Sequence, residues 1–182
     1  LASCRKPSSW DYLQSRGLTV DTLCSSRFAD RILEDRRGNM IFPHSDREGF
    51  CGYEIKNRGF TGFASGGLKS VWHSHTKPTD KRLVFCEVAI DALSYFQLHD
   101  DGHTRYMSFG GSMNDYQRDT VIPQAILRMP PGSTIVSAFD NDKAGDAFCE
   151  LVTPHITPDY VNYRHTPPPE LDWNDVVQGD SV

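Results

Sequence analysis

Three features are missing from this 182-residue sequence, and each absence excludes a class of protein. No run of about 18 uncharged apolar residues occurs, which excludes a membrane-spanning helix and predicts no membrane partner. No basic segment is followed by an apolar stretch, so we expect no secretory signal. The five cysteines form no CxxC pair, which argues against a disulfide scaffold and a zinc ribbon. These absences predict a reduced, cytoplasmic protein.

The residues that are present support a folded core. Hydrophobic residues make up 38% of the chain and include 10 Phe, 7 Tyr and 3 Trp. That content is enough for one sizeable domain or two small ones, and it argues against wholesale disorder. The chain starts with Leu1, and we expect it to be part of a longer protein.

Charge is distributed unevenly between the two halves. Residues 1–82 contain 14 Lys and Arg against 9 Asp and Glu, whereas residues 83–182 contain 5 against 15. A basic half beside an acidic half suits a protein that binds phosphates with one part and metal ions with the other. Ordinary surface variation can produce the same division, so the charge pattern alone does not decide the function.

Residues 1–81 have the pattern of a small α+β unit. Short helices are indicated between Ser8 and Gly17 and again within Thr19–Ser25. Two apolar runs flank the turn-forming segment Ser45–Gly49, which predicts a β-hairpin. We therefore predict an N-terminal basic α+β subdomain over residues 1–81.

From residue 82 onward, strand and helix patterns alternate. This alternation predicts right-handed βαβ crossovers and an α/β fold, with a parallel sheet of about four strands and helices on both faces. The predicted strands are 82–86, 105–109, 133–139 and 160–163, and the predicted helices are 89–98, 114–129 and 143–152.

Acidic residues follow two of these strands at the point where each strand ends. Glu87 comes directly after the first strand, and Asp140 and Asp142 come directly after the third. Because the carboxyl ends of parallel strands open on one edge of a sheet, we expect the three carboxylates to converge there. Asp91 lies one helical turn beyond Glu87 and could join them. Such oxygen donors suit Mg²⁺, although Asp142 could instead cap the following helix.

Two of these segments resemble the motifs of a known family, the Toprim domain of primases, type IA and II topoisomerases and some nucleases. Val84–Leu93 resembles the glutamate motif, with Val88 at a position where the motif usually has glycine. Phe139–Gly145 is similar to the Asp-x-Asp motif. The resemblance implies a Toprim domain over residues 82–182.

Within that family, the bacterial-type primase core resembles nearly the whole chain. Arg37–Gly49 is similar to the hairpin of the primase basic subdomain, and Tyr12–Leu18 to the helix before it. Leu171–Val176 resembles the acidic motif that closes the primase site. The resemblance implies a nucleotidyltransferase that makes RNA primers on single-stranded DNA from nucleoside triphosphates. Relatives of this kind occur on plasmids and integrative elements, often behind a zinc-binding module and sometimes beside a replicative helicase.

The resemblance also implies roles for the acidic residues. Asp140 and Asp142 would bind Mg²⁺ or Mn²⁺, with Asp91 and Asp172 nearby. Glu87 would be a metal ligand or the general base toward the primer 3′-hydroxyl. This arrangement agrees with the needs of phosphoryl transfer, in which metal ions neutralise the triphosphate and align the attacking oxygen.

The basic subdomain would hold template phosphates or the incoming triphosphate through Lys56, Arg58 and Lys69. Each of the three could equally be a solvated surface charge. Aromatic residues in the same region could stack on bases, but core packing is the favoured interpretation for Phe60, Phe63 and Trp72.

Two other functions use the same residues. A Toprim nuclease would cleave phosphodiesters with the same acids, but it would not need the basic hairpin that precedes Glu87. A DNA-binding replication or mobilisation accessory protein could retain the fold without activity, but it would have no need of the complete set Glu87, Asp140 and Asp142. The primase function is therefore favoured.

Overall fold

Two β-sheets organise the protein, and the computed structural model describes the chain from residue 4 to residue 179. The first sheet is antiparallel, with its strands in sequence order. Its strands are β1 (Leu33–Glu34), β2 (Met40–Ser45), β3 (Phe50–Asn57) and β4 (Phe60–Phe63). The helices before it are α1 (Asp11–Gln14), α2 (Val20–Leu23) and a 3₁₀ turn at Ser26–Phe28. The predicted hairpin is the β2–β3 pair.

The second sheet has five strands in the order β5-β7-β6-β8-β9. They are β5 (Trp72–His73), β6 (Arg82–Cys86), β7 (Thr104–Ser108), β8 (Thr134–Ser137) and β9 (Val161–Arg164). Strands β6 to β9 pair in parallel, which confirms the predicted sheet of about four parallel strands. Strand β5 adds an antiparallel edge to β7, and at two residues it is too short to give a sequence signal.

Helices cover both faces of this sheet, as the alternating pattern predicts. They are α3 (Ala89–His99), α4 (Ile122–Leu127), α5 (Lys143–Val152) and α6 (Trp173–Gln178). The helix predicted over residues 114–129 is irregular, because a π-helical segment, Gln117–Val121, precedes α4. Pro123 lies just after the π-helical segment, within a continuous run of helical residues, and this irregular stretch accommodates its missing N–H.

Strand β6 separates two hydrophobic cores. Val84 and Cys86 face the α3 side, whereas Leu83 and Phe85 face the α4 side, as expected for alternate residues of a strand. The α3 side also includes buried residues of the N-terminal half, such as Trp72. The two halves therefore share a core, and the boundary that we place at residue 82 stays a prediction.

A buried ion pair network also joins the halves. The Asp80 carboxylate is fully buried and accepts hydrogen bonds from Arg27 Nη1 at 3.0 Å and Arg105 Nε at 3.1 Å. Burial alone would raise the pKa of Asp80, but the hydrogen bonds from Arg27, the Lys77 backbone and Arg105 hold it below its usual value. Arg27 belongs to the N-terminal half and Arg105 to β7, so Asp80 ties the first half to the second sheet.

Among the residues from 4 to 179, no helix has the length and apolar content needed to cross a membrane.

Candidate active site

The carboxyl ends of the parallel strands meet at one edge of the second sheet. Strands β6 and β8 are neighbours, and the helix after β6 (α3) lies on one face of the sheet while the helix after β8 (α5) lies on the other, so the ends of these two strands form the topological switch point where α/β proteins bind ligands. Glu87 follows β6 directly, and Asp140 comes shortly after β8. The Asp140 backbone N–H donates to Glu87 Oε1 at 3.4 Å. The structure therefore brings these two predicted residues together.

Asp91 and Asp172 lie around this pair. Asp91 is in the first turn of α3, is only 4% exposed, and accepts a hydrogen bond from the Val88 N–H at 3.3 Å. Asp172 caps α6, where its Oδ1 accepts from the Asp175 N–H at 2.7 Å. Besides burial and the charge of Glu87, the charge of Asp172 raises the pKa of Asp140. The charges of Asp172, Asp140 and Glu87 add to the effect of burial in raising the pKa of Asp91, which places the four carboxylates in one acidic cluster.

Asp142 has a structural contact of its own. Its Oδ1 accepts a hydrogen bond from the Gly145 N–H at 2.8 Å and so caps α5. The cap leaves Oδ2 outside this bond, and the negative charge of Asp142 still raises the pKa of Asp140 and Glu87. The helix-cap interpretation of Asp142 is thus confirmed, and its predicted role as a metal ligand stays a prediction.

Burial and crowding disfavour ionisation throughout the cluster. Burial, followed by the charges of Glu87 and Asp172, raises the pKa of Asp140 to about 7. Burial raises the pKa of Glu87, and nearby carboxylates add to the effect. Asp91, also buried, has a pKa well above its ordinary value. A bound cation would relieve this repulsion.

The donor set suits a metal with few protein ligands. Across residues 4–179 no three His, Cys, Asp or Glu side chains are arranged to hold an ion together. Mg²⁺ commonly takes one or two carboxylates and completes its shell with water and phosphate oxygens. Asp140 Oδ1 is buried without a hydrogen-bond partner beside Glu87, so this pair fits such an ion.

Two residues hold the backbone of Asp140: Arg164, which was not identified from the sequence, and Gly145, the last residue of the Asp-x-Asp segment. Arg164, at the end of β9, donates from Nη1 to the Phe139 carbonyl at 2.9 Å and from Nη2 to the Asp140 carbonyl at 2.7 Å. At Gly145, an added Cβ would lie 2.0 Å from the Asp140 carbonyl oxygen, so only glycine permits this approach of α5. A lone arginine on a strand has no motif that would have identified it.

Val88, the residue directly before α3, stands at the position where the glutamate motif usually has glycine, and its conformation does not require glycine. Val88 has φ −127° and ψ 165°, an extended conformation that a β-branched residue adopts without strain. The glycines come instead after β7, where Gly110 and Gly111 have φ of +72° and +84°. The Gly111 N–H donates to the Glu87 carbonyl at 3.0 Å, which fixes the Glu87 backbone.

Two of the predicted basic residues lie near this glycine loop, Lys69 through a direct hydrogen bond and Lys56 through Glu54. Lys56 is 8% exposed, and its Nζ is 4.0 Å from Glu54 Oε2. Glu54 Oε1 is 3.1 Å from His44 Nε2, and an added Cβ at Gly110 would lie 3.2 Å from Glu54 Cγ. Lys69 Nζ donates to the Ser112 carbonyl at 2.7 Å. Lys56 and Lys69 therefore flank the loop that supports Glu87.

Glu54 was not identified from the sequence, yet it compensates these lysines. Burial and the charge of Lys56 lower the pKa of Lys69, whereas the charge of Glu54 raises it. Arg58, the third predicted basic residue, is exposed in the turn between β3 and β4 and belongs to a different surface.

The three candidate stacking residues differ in environment. Trp72 is fully buried in the shared core, so the core-packing interpretation is confirmed for it. Phe63 is half-buried and packs edge-on to His44, with ring centroids 5.0 Å apart, outside both cores. The core-packing interpretation is wrong for Phe60, which is 52% exposed. Phe60 lies at the start of β4 beside the exposed turn, with its ring over Gly62.

Comparison with known proteins separates the chain into two matched segments. Residues 84–177 match a family described as Toprim-like. Residues 11–81 match a family described as a protein of unknown function, DUF3991. The sequence has no significant match among curated proteins.

Solved structures of primases have the same fold. The primase fragment of the bacteriophage T7 primase-helicase has a TM-score of 0.68 at 17% identity, over 97% of this chain and 71% of that one. The DnaG primase catalytic domain bound to single-stranded DNA has a TM-score of 0.58 at 16% identity, over 94% and 69%. A T7 polymerase assembly with two primase domains, an RNA/DNA hybrid and dTTP gives 0.62 at 16%, over 97% and 87%.

At sequence identities of 16–17%, the similarity to these primase structures establishes the fold alone. The Toprim-like match spans half of the sequence and includes Glu87, Asp140 and Asp172. The chain belongs to the Toprim-like family and has the fold of a primase catalytic domain.

Proposed function

We propose that this chain is the catalytic core of a DNA primase, a nucleotidyltransferase that joins nucleotides into RNA primers on single-stranded DNA. The observation that supports it best is the position of the acidic pair Glu87 and Asp140 beside the glycine loop flanked by Lys56 and Lys69. Carboxylates for cations and lysines for phosphates meet at one sheet edge, which is the pairing that a triphosphate substrate requires.

The acidic residues serve the reacting end of the substrate. Glu87 and Asp140 would hold Mg²⁺ or Mn²⁺, with Asp142, Asp91 and Asp172 supplying further negative charge around them. When bound, the ion would neutralise the triphosphate and align the attacking 3′-hydroxyl. Glu87 could alternatively accept the proton of that hydroxyl, since burial and neighbouring acids raise its pKa and make it a better base.

The basic residues serve the phosphates. Lys56 and Lys69 would bind template phosphates or the incoming triphosphate, and the Glu54 carboxylate places a compensating negative charge beside them. Arg58 would contact the template backbone from the β3–β4 turn. The solved relatives include a fragment of a primase-helicase, which supports a replicative helicase as a partner. We further propose an upstream zinc-binding module and a plasmid or mobile-element origin.

The test is synthesis by the full-length protein. It is incubated with single-stranded DNA, labelled ribonucleotides and Mg²⁺, and the products are sized on a denaturing gel, with a parallel reaction using deoxynucleotides. Short RNA products that need template and metal are expected. Cleavage of an end-labelled strand without synthesis would favour the Toprim nuclease. Tight DNA binding with neither reaction would favour the accessory protein.

Neutralising single cations should change how DNA binding depends on salt. In Arg58→Gln and Lys69→Gln, the slope of log K against log salt should each fall by about 1, because one counterion fewer is released from the DNA. Binding is measured by fluorescence anisotropy between about 50 and 200 mM salt. Lys81→Gln is the matched control, because Lys81 is exposed at the opposite edge of the sheet. Equal slopes in all four proteins would place the template elsewhere.

A further inference from the structure

An open groove of 620 Å³ lies between α1 and the β3–β4 turn, and its lining combines aromatic and cationic side chains. Tyr12 in α1 and Arg16, two residues after the end of α1, line one side, and Arg58 and Phe60 line the other from the β3–β4 turn and the start of β4. None of its lining residues is acidic, although the protein as a whole carries a net charge of −5. The volume is in the usual range for a ligand site, about 300–1,000 Å³.

Phe60 is placed in the groove by a glycine. An added Cβ at Gly62 would lie 2.6 Å from Phe60 Cζ, so the ring occupies the space that a side chain would fill. The ring remains 52% exposed, and burying it against a ligand would remove apolar surface from water. An exposed aromatic ring held beside arginines is the arrangement that stacks on unpaired bases.

Arg16 is held in a defined position. Its Nε donates to Asn174 Oδ1, and Asn174 Nδ2 donates in return to the Arg16 carbonyl at 2.7 Å. Asn174 is fully buried in α6, two residues after the Asp172 cap. Arg16 therefore connects the groove to α6, the helix that Asp172 of the acidic cluster caps.

We propose that this groove binds a short segment of the single-stranded DNA template, with a base stacked on Phe60 and Tyr12 and the backbone held by Arg16 and Arg58. The proposal rests on the proposed primase function for the identity of the strand. It adds a contact separate from Lys56 and Lys69, since Lys56 is directed toward Glu54 and buried. A duplex keeps its bases paired and stacked, so the groove selects single strands.

The experiment compares an oligothymidylate with an abasic oligomer of the same length in the full-length protein. Phe60→Ala should weaken oligothymidylate binding about 5- to 150-fold, the usual effect of losing one stacking ring, and leave abasic binding unchanged. Phe50→Ala is the matched control, because Phe50 is 47% exposed but stacks on Tyr53 outside the groove. It should bind both oligomers as the wild type does.

Two further variants test the position of the Phe60 ring and the charge of Arg58 separately. Gly62→Ala retains the Phe60 ring but displaces it, and it should reproduce the base-specific loss without lowering the melting temperature by more than a few degrees. Arg58→Gln should weaken both oligomers, because it removes a backbone contact.

Equal oligothymidylate binding by the wild type and Phe60→Ala would overturn the proposal that the groove binds template. Equal losses in Phe60→Ala and Phe50→Ala would also overturn it, and so would a wild type that binds no single strands. These results are independent of synthesis. If Phe60→Ala makes primers and binds oligothymidylate as tightly as the wild type, the primase function is supported and the groove proposal is wrong. If Phe60→Ala loses affinity for oligothymidylate but not for the abasic oligomer, and the wild type makes no primers, the groove binds single strands and the primase function is wrong.

Discussion

Glu87→Gln and Asp140→Asn should each reduce primer synthesis by about a hundredfold or more while the protein stays folded and binds DNA. Both substitutions retain the size and hydrogen-bonding capacity of the side chain but remove a charge that the reaction uses. The rate is measured with saturating template and Mg²⁺, and folding is checked by circular dichroism. Asp159→Asn is the matched control, because Asp159 is exposed just before β9, at the amino-terminal ends of the parallel strands and away from the acidic cluster at their carboxyl ends.

The same Asp140→Asn variant should be more stable than the wild type without metal, and only at high pH. In the folded state the pKa of Asp140 is about 7, whereas in the unfolded chain it is about 4. A raised folded pKa contributes stability below the unfolded pKa, and this contribution is lost as the pH rises toward 7. The variant should therefore melt like the wild type near pH 4 and higher at pH 8, by about 2–4 °C per kcal/mol of repulsion removed.

Two outcomes would contradict this role for the acids. Near wild-type synthesis by either variant would remove that carboxylate from the mechanism. Unfolding of the variants at pH 8 would show that the acids are structural, and the inactive accessory protein would become the better explanation.

Asp80→Ala should have the largest effect on stability, about 3–5 kcal/mol, because it leaves Arg27 and Arg105 without their shared partner. Arg27 is 3% exposed, so water cannot replace the lost carboxylate there. Urea denaturation measures the loss. Asp115→Ala is the comparison, because its side chain is 86% exposed in an ion pair with Arg118, and such pairs contribute about 0–1 kcal/mol. Equal losses in the two variants would mean that Asp80 does not join the halves.

The sequence sufficed where one local rule determines the structure. Strand β6 and helix α5 have the predicted bounds, because an apolar run and a capped amphipathic segment each identify themselves. The approach of Glu87 to Asp140 followed from the parallel sheet, since strand ends on one edge must be neighbours.

Features that depend on several residues distant in the sequence could not be predicted from the sequence. Strand β5 exists because β7 offers it an edge, and Arg164 reaches Asp140 because β9 ends beside β8. Phe60 has an aromatic side chain like Trp72, and only the packing around each shows that one is exposed and the other buried. The pairing of Glu54 with His44 likewise depends on the β2–β3 register, which places His44 opposite Gly52.

Strand β5 limits how this protein can be divided by evolution or in the laboratory. A recombination joint at residue 82 would remove β5 and leave the β7 edge with unpaired N–H and C=O groups. It would also remove the Trp72 indole, which fills the shared core and donates to the Arg31 carbonyl. Exchange of the basic half between related genes would thus have to preserve a matching β5, so the two halves are constrained to be inherited together.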